Sequence, residues 1–170
     1  MSLKDSLTFK GTIATQLLRD QHILTVELSE GFLNNSIDAK KFLEHVDYSI
    51  YVHFPLEDNY LMPIFRPFLR KYLEFEEPIR VISGEHATIK RERQLIYRPN
   101  ITESDEEVEI SPDELFGKVG VIAKTLLQHV YKEENGLFEL VDSYLPENEK
   151  KELSIKLEEN MPILEKNFRK

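Results

Sequence analysis

Two stretches, "HFPLEDNYLMP" (His53 to Pro63) and "HVYKEENGLF" (His129 to Phe138), each place a histidine and a glutamate four residues apart: His53 with Glu57, and His129 with Glu133. On a helix that spacing is about one turn, so both side chains of a pair share a face and reach one point. The faces concerned are otherwise apolar. Val46 and Ile50 precede the first pair and Leu61 and Ile64 follow it; Val119, Ile122 and Leu126 precede the second, and Leu137 and Leu140 follow. Two more histidines interrupt apolar rows in the same manner, His22 in the row Leu18–His22–Val26 and His86 in the row Ile79–Ile82–His86–Ile89.

Burying a polar side chain without a partner costs a few kcal/mol, and an unpaired buried carboxylate costs more or is forced to protonate. Four imidazoles and two carboxylates facing one core therefore need a compensating charge. A pair of metal cations supplies it, since imidazole nitrogen and carboxylate oxygen suit iron, manganese or zinc and a carboxylate can bridge two metals. A single His/Glu pair at this spacing is more often a surface ion pair, and a single inward histidine more often a satisfied interior group. The combination, two pairs plus one inward histidine on each of two further segments, argues for a metal site. The fifth histidine, His45, has no such place in the pattern.

The segments that carry these residues read as helices. Six glycines in 170 residues and long runs of Leu, Glu, Lys and Ile argue against a sheet. Breaks at "NNSID" (34–38), "EFEEPI" (74–79), "RPNITESDEEVEISPDE" (98–114) and "LPENE" (145–149) leave four long helical segments and a shorter tail. The first is expected over about 12–33. The second spans about 38–72, kinked or ended early by Pro55 and Pro63. The third runs over about 79–97. The fourth opens on Ser111-Pro112-Asp113-Glu114, with serine as N-cap and proline at the first helical position, and continues to about 144. The tail, about 148–168, carries Leu153, Leu157 and Leu164 among charges, with Pro162 inside it, and is expected to pack across the outside. One domain over 1–170 accounts for the length.

Composition excludes several functions. The absence of cysteine removes disulfides, iron–sulfur clusters, thiolate zinc sites and cysteine nucleophiles together. A net charge of -9 and a pI near 5.1 repel a phosphate backbone, so no nucleic-acid partner is expected. The one basic cluster, Lys90, Arg91, Arg93 and Arg98, alternates sign through Glu92 and reads as a solvated helix face. The acidic stretch 103–109 reads as a solvated loop without a role. No apolar run approaches the roughly 20 residues of a membrane span, and no signal-peptide core is present, so a cytoplasmic protein without a membrane partner is expected.

The quoted stretches, with "RDQHILTVEL" and "GEHATIKRE" around His22 and His86, resemble the hemerythrin-like family, also called the HHE cation-binding domain, over about 12–145. "HVYKEENGLF" is similar to the family pattern H-x-x-x-E-E-x-x-L-F, and Leu61-Met62-Pro63 stands where the family often has Leu-Phe-Pro. The resemblance implies an all-α, up-down four-helix bundle, here with an additional C-terminal helix. It also implies a di-iron centre with an oxo or hydroxo bridge; manganese or zinc could use the same donors. Glu57 and Glu133 would be its bridging carboxylates, with His22, His53, His86 and His129 as terminal ligands. One division puts His22 and His53 on one iron, His86 and His129 on the other.

This chain departs from the oxygen-carrying hemerythrins at the positions one turn from His86, which are Ile82 and Lys90 rather than a second histidine. Each iron would then stand about two bonds short of six, open to water, dioxygen, peroxide or nitric oxide. Tyr60 and Tyr131 are candidates to hydrogen-bond the cluster, and Asp58 and Glu134, each beside a bridging glutamate, are candidates for support or for the surface. Three functions compete: a sensor or carrier of a small diatomic ligand or of iron; a redox enzyme acting on peroxide or nitric oxide or donating iron, with an external electron donor; and a metal-free helical bundle that binds a partner.

Overall fold

A computed structural model describes residues 14–72, 76–97 and 111–170. Among these residues there is no strand, and five helices take up nearly all of them: α1 (Gln16–Leu33), α2 (39–72), α3 (Glu77–Tyr97), α4 (112–144) and α5 (Glu147–Phe168). The expectations for residues 1–13 and 98–110, including Arg98 and the acidic stretch, lie outside the described residues.

Helix starts follow local chemistry. Asp38 caps α2, its side chain accepting from the Lys41 N–H at 2.8 Å. Ser111 caps α4, accepting from the Glu114 N–H at 3.2 Å with Pro112 next in line, so a donor otherwise left bare at the helix end is satisfied. Between α1 and α2 the chain reverses at Asn35, the one described non-glycine residue with positive φ (62°). There the Gly31 carbonyl accepts from the N–H groups of Ser36 and Ile37. A Cβ at Gly31 would stand 2.5 Å from Ile37 Cγ1, which explains the glycine.

The prolines do not end α2 or α5. α2 runs through Pro55, Pro63 and Pro67 as Ala39–Tyr48, a wide π turn Ser49–His53, a short α segment Phe54–Leu56, a second π turn Glu57–Leu61, and Met62–Tyr72. A proline lacks the N–H that would close its turn. The wide turns close instead through five-residue bonds, from the Phe54 N–H to the Ser49 carbonyl and from the Met62 N–H to the Glu57 carbonyl. α4 has one such turn, Glu133–Leu137, between Pro112–Lys132 and Phe138–Tyr144. Pro162 likewise lies inside an unbroken α5.

The core consists of two apolar clusters with a polar layer between them. One gathers Leu18, Leu61, Phe65, Ile79, Ile82, Leu137 and Val141; the other gathers Leu28, Phe42, Val46, Ile89, Ile122 and Leu126. α1 and α3 pass from the first cluster to the second, and α2 and α4 from the second to the first, so consecutive helices are antiparallel in an up-down bundle. Each helix crosses the boundary at its histidine. α5 lies along the wide turns of α2 and against α1, burying Leu153 and Leu157 in the first cluster. Arg93 is a correction to the solvated reading of its helix face: it is buried and grips Asp47 of α2 with two bonds of 2.8 and 2.7 Å.

Candidate metal centre

The boundary layer holds His22, His53, Glu57, His86, His129 and Glu133, none more than 4 % exposed. The six side chains form two overlapping groups of four. His22 and His53 join Glu57 and Glu133 in one, His86 and His129 join the same two glutamates in the other, and within each group the donor atoms lie within 4.8 Å of one another. The glutamates span both. Glu57 turns Oε1 to His53 Nε2 (3.5 Å) and Oε2 to His86 Nε2 (3.2 Å); Glu133 turns Oε2 to His22 Nε2 (3.1 Å) and Oε1 to His129 Nε2 (3.2 Å).

The imidazoles are held from behind. Each Nδ1 meets an acceptor: Glu134 Oε1 for His22 (2.6 Å), Gln21 Oε1 for His53 (2.6 Å), Asp58 Oδ1 for His86 (2.9 Å) and Glu85 Oε2 for His129 (3.1 Å). An Nδ1–H donated outward leaves Nε2 as the inward lone pair, the arrangement that orients an imidazole toward a cation. Within each half two Nε2 atoms then face each other, 3.1 Å apart for His22 and His53 and 3.2 Å for His86 and His129. Two lone pairs at that distance repel unless a proton or a cation lies between them. All four oxygens of Glu57 and Glu133 are buried without an aligned hydrogen bond, despite their nearness to imidazole nitrogens.

Titration behaviour follows this crowding. Burial favours the neutral form of His22, but the charge of the adjacent Glu133 and the hydrogen bond and charge of Glu134 outweigh it and raise the group to about 9. His86 is likewise raised to about 9, burial being outweighed by Asp58 and Glu57. Burial lowers His53 to about 3, against the pull of Glu57. The two carboxylates are driven in opposite directions: Glu57 is held down despite burial by His53 and His86, and Glu133 is pushed up by burial and by the charge of Glu57.

Three of the six residues lie in wide turns: His53 closes one, and Glu57 and Glu133 each open one. One extra residue in the Glu133–Leu137 turn brings the consecutive residues Glu133 and Glu134 both inside, and such turns recur at functional sites. Glu134 shares the carboxylate that holds His22 with the buried guanidinium of Arg19, which also reaches Asp142 at 3.2 Å and Thr15 at 2.9 Å. Phe54 seals the layer on one side, stacked on His86 with centroids 4.0 Å apart and edge-on to His129 at 5.5 Å; Phe138 stacks on His22 at 5.2 Å.

The structure thus brings together all six residues singled out from the apolar rows. It does not bring Tyr60 or Tyr131 to them: Tyr60 packs half-buried against the first apolar cluster, and Tyr131 is 55 % exposed. Both lie off the inward face, and the places behind the histidines belong to Asp58, Glu134, Gln21 and Glu85. The last two, and Arg19, were not expected. A signal for them exists, because each acceptor directly adjoins one of the six in "QH", "EH", "ED" and "EE", yet serves a histidine on another helix. His45 is buried outside the layer with Nε2 2.8 Å from the Thr25 hydroxyl, and burial lowers it to about 4. No described helix is long and apolar enough to cross a membrane.

Residues 14–141 match the family model described as the hemerythrin HHE cation binding domain. Searches of curated proteins and of solved structures find no match.

Proposed function

Because the chain belongs to the hemerythrin HHE cation-binding family, we propose that its polar layer holds two metal ions, iron in the first place, and binds or senses dioxygen, nitric oxide or the iron supply itself. His22 and His53 would serve one ion and His86 and His129 the other, with Glu57 and Glu133 shared. One observation carries this reading: four fully buried carboxylate oxygens without hydrogen bonds, each turned toward an imidazole Nε2. The donor set fits cations of intermediate hardness, which imidazole and carboxylate together select. Iron bound there supplies redox chemistry and coordination positions that the six side chains leave open.

The chain's own groups prepare that site. Glu57 and Glu133 span the two halves and bring two negative charges to the layer. The Nδ1 acceptors lock four rings in place, and Phe54 and Phe138 keep bulk water from the histidines they cover. Neither position one turn from His86 adds a donor: Ile82 is buried in the apolar cluster, and Lys90 reaches Asp58 at 3.5 Å. That openness favours ligand binding or sensing over closed structural coordination.

Elemental analysis with optical spectra before and after reduction, and after exposure to air, tests the proposal. About two irons per chain with near-ultraviolet absorption that responds to reduction and air is the expected result. A folded protein that takes up no metal would overturn it and leave the partner-binding bundle. Turnover of hydrogen peroxide or nitric oxide by the loaded protein would move the reading to a redox enzyme.

A further inference from the structure

The four imidazoles are not backed equally. Across the bundle α1 corresponds to α3 and α2 to α4: Gln21, which precedes His22, serves His53, just as Glu85, which precedes His86, serves His129. Glu134 serves His22 as Asp58 serves His86. Three of the four acceptors are carboxylates, and Gln21 alone is a neutral amide. A carboxylate on Nδ1–H raises the basicity of Nε2 and so its strength as a ligand, whereas an amide orients the ring without that charge. The single carboxylate behind the His22–His53 half is also opposed by a buried cation, Arg19. Those behind the other half face Lys90 and Lys132, which are 37 % and 44 % exposed and screened by water.

The surroundings divide along the same line. A cavity of about 820 Å³ lies beside the His22–His53 half, between α1, α2 and α5, with Gln21 in its wall. There the Gln21 amide donates to the Tyr48 hydroxyl at 3.1 Å and to Met161 Sδ at 3.3 Å. Most of the cavity's surface is apolar, from residues such as Leu17, Leu24, Leu157 and Met161; its charged lining is Asp20, Glu44, Glu158 and Glu165, with no lysine or arginine. The depression of about 410 Å³ that reaches His86 is lined by Arg66 and Lys90 with Asp58 as its one carboxylate. A free cation is drawn toward the first and repelled from the second.

We infer that the two metal positions are unequal: the His22–His53 half is the exchangeable one, loaded and emptied through the carboxylate-lined cavity, and Gln21 is the positioning residue that sets its weaker hold. This rests on the two-metal reading above. The centre then has a distinct one-metal state, with the His86–His129 half filled.

Cobalt(II), whose visible absorption reports its coordination, is a suitable probe on the full chain. Titration is expected to show two equivalents bound in two steps separated by about tenfold or more, and a chelator should strip one well before the other. Gln21→Glu should slow the fast release by about tenfold and Gln21→Ala should hasten it; a merely structural role would hasten it in both. Should Gln21→Glu fail to fold, Glu85→Gln carries the test from the other side by accelerating the slow phase until the two equivalents leave together. Glu44→Gln with Glu158→Gln should slow loading of the weaker position and reduce its salt dependence.

Two equivalents that bind and leave indistinguishably in the unmodified protein would overturn the inference while sparing the metal site. So would a fast phase indifferent to both Gln21 variants, or loading indifferent to the cavity carboxylates. Uptake of no cobalt would overturn the metal reading and this inference with it.

Discussion

Glu133→Gln should change the protein's stability in opposite directions with and without metal. In the metal-free state the Glu133 carboxylate has two buried oxygens without hydrogen bonds, and burial and the charge of Glu57 push its titration up. A glutamine of the same shape can accept from His22 through its oxygen and donate to the lone pair of His129 through its nitrogen, while Glu134 still holds His22 from behind. Leaving a buried polar group unsatisfied costs about 1–3 kcal/mol, so the variant should gain roughly that much. At about 2–4 °C per kcal/mol for a chain of this size, the melting temperature should rise by roughly 2–12 °C.

With metal present the order reverses. A ligand at about a thousandfold over its Kd adds about 4 kcal/mol to the native state, and the variant would forfeit the carboxylate that the two proposed ions would share. Thermal melts followed by circular dichroism, with excess chelator and then with excess iron(II) under anaerobic conditions, measure both arms. A variant less stable than the parent in both would refute the reasoning, because it would make Glu133 an ion-pair partner of His22 and no more.

Replacing His86 with alanine should lower metal content from about two ions per chain to about one, read by elemental analysis, since the other half keeps both its histidines and both glutamates. Phe54→Ala should cost about 3–5 kcal/mol in denaturant unfolding, because Phe54 is fully buried and stacked on His86. Arg19→Met should cost about 3–5 kcal/mol, by leaving Glu134 and Asp142 without their buried guanidinium. His45 supplies a pH dependence: it stays neutral in the fold down to about 4, whereas the unfolded chain takes up the proton near 6.5. Its contribution is therefore complete above about pH 6.5 and is lost as pH falls toward 4, at up to about 1.4 kcal/mol per pH unit. Urea unfolding of His45→Gln beside the parent should show a shallower loss over that window, and parallel curves would refute it.

Much of the layer was legible because helical periodicity projects residues three and four apart onto one face. His129 and Glu133 could be assigned to the inward side of α4 from the apolar residues around them, and His22, His53, Glu57 and His86 likewise. Helix starts at Asp38 and Ser111 follow from capping chemistry that needs only a few neighbouring residues. The expected span 38–72 of α2 holds, but local chemistry alone left open whether its prolines kink the helix or end it. A proline breaks an ideal helix locally, but here two wide turns and a packed bundle carry the chain past Pro55 and Pro63.

The tyrosines show where periodicity stops. Tyr131 lies only two residues from His129, yet that separation turns it about 200° around the helix and into solvent. Glu134 adjoins Glu133 and would point away on an ideal wheel, but the extra residue of the Glu133–Leu137 turn brings it inside. Sequence by itself determined which residue types each helix presents to the core, a property of one helix and its 3.6-residue turn. Only the tertiary structure decided that Gln21 backs His53, that Glu85 backs His129, and that α5 lies over the wide turns of α2 beside a carboxylate-lined cavity. Those pairings depend on the rotation and axial offset of one helix against another, which are set by side chains packing between helices.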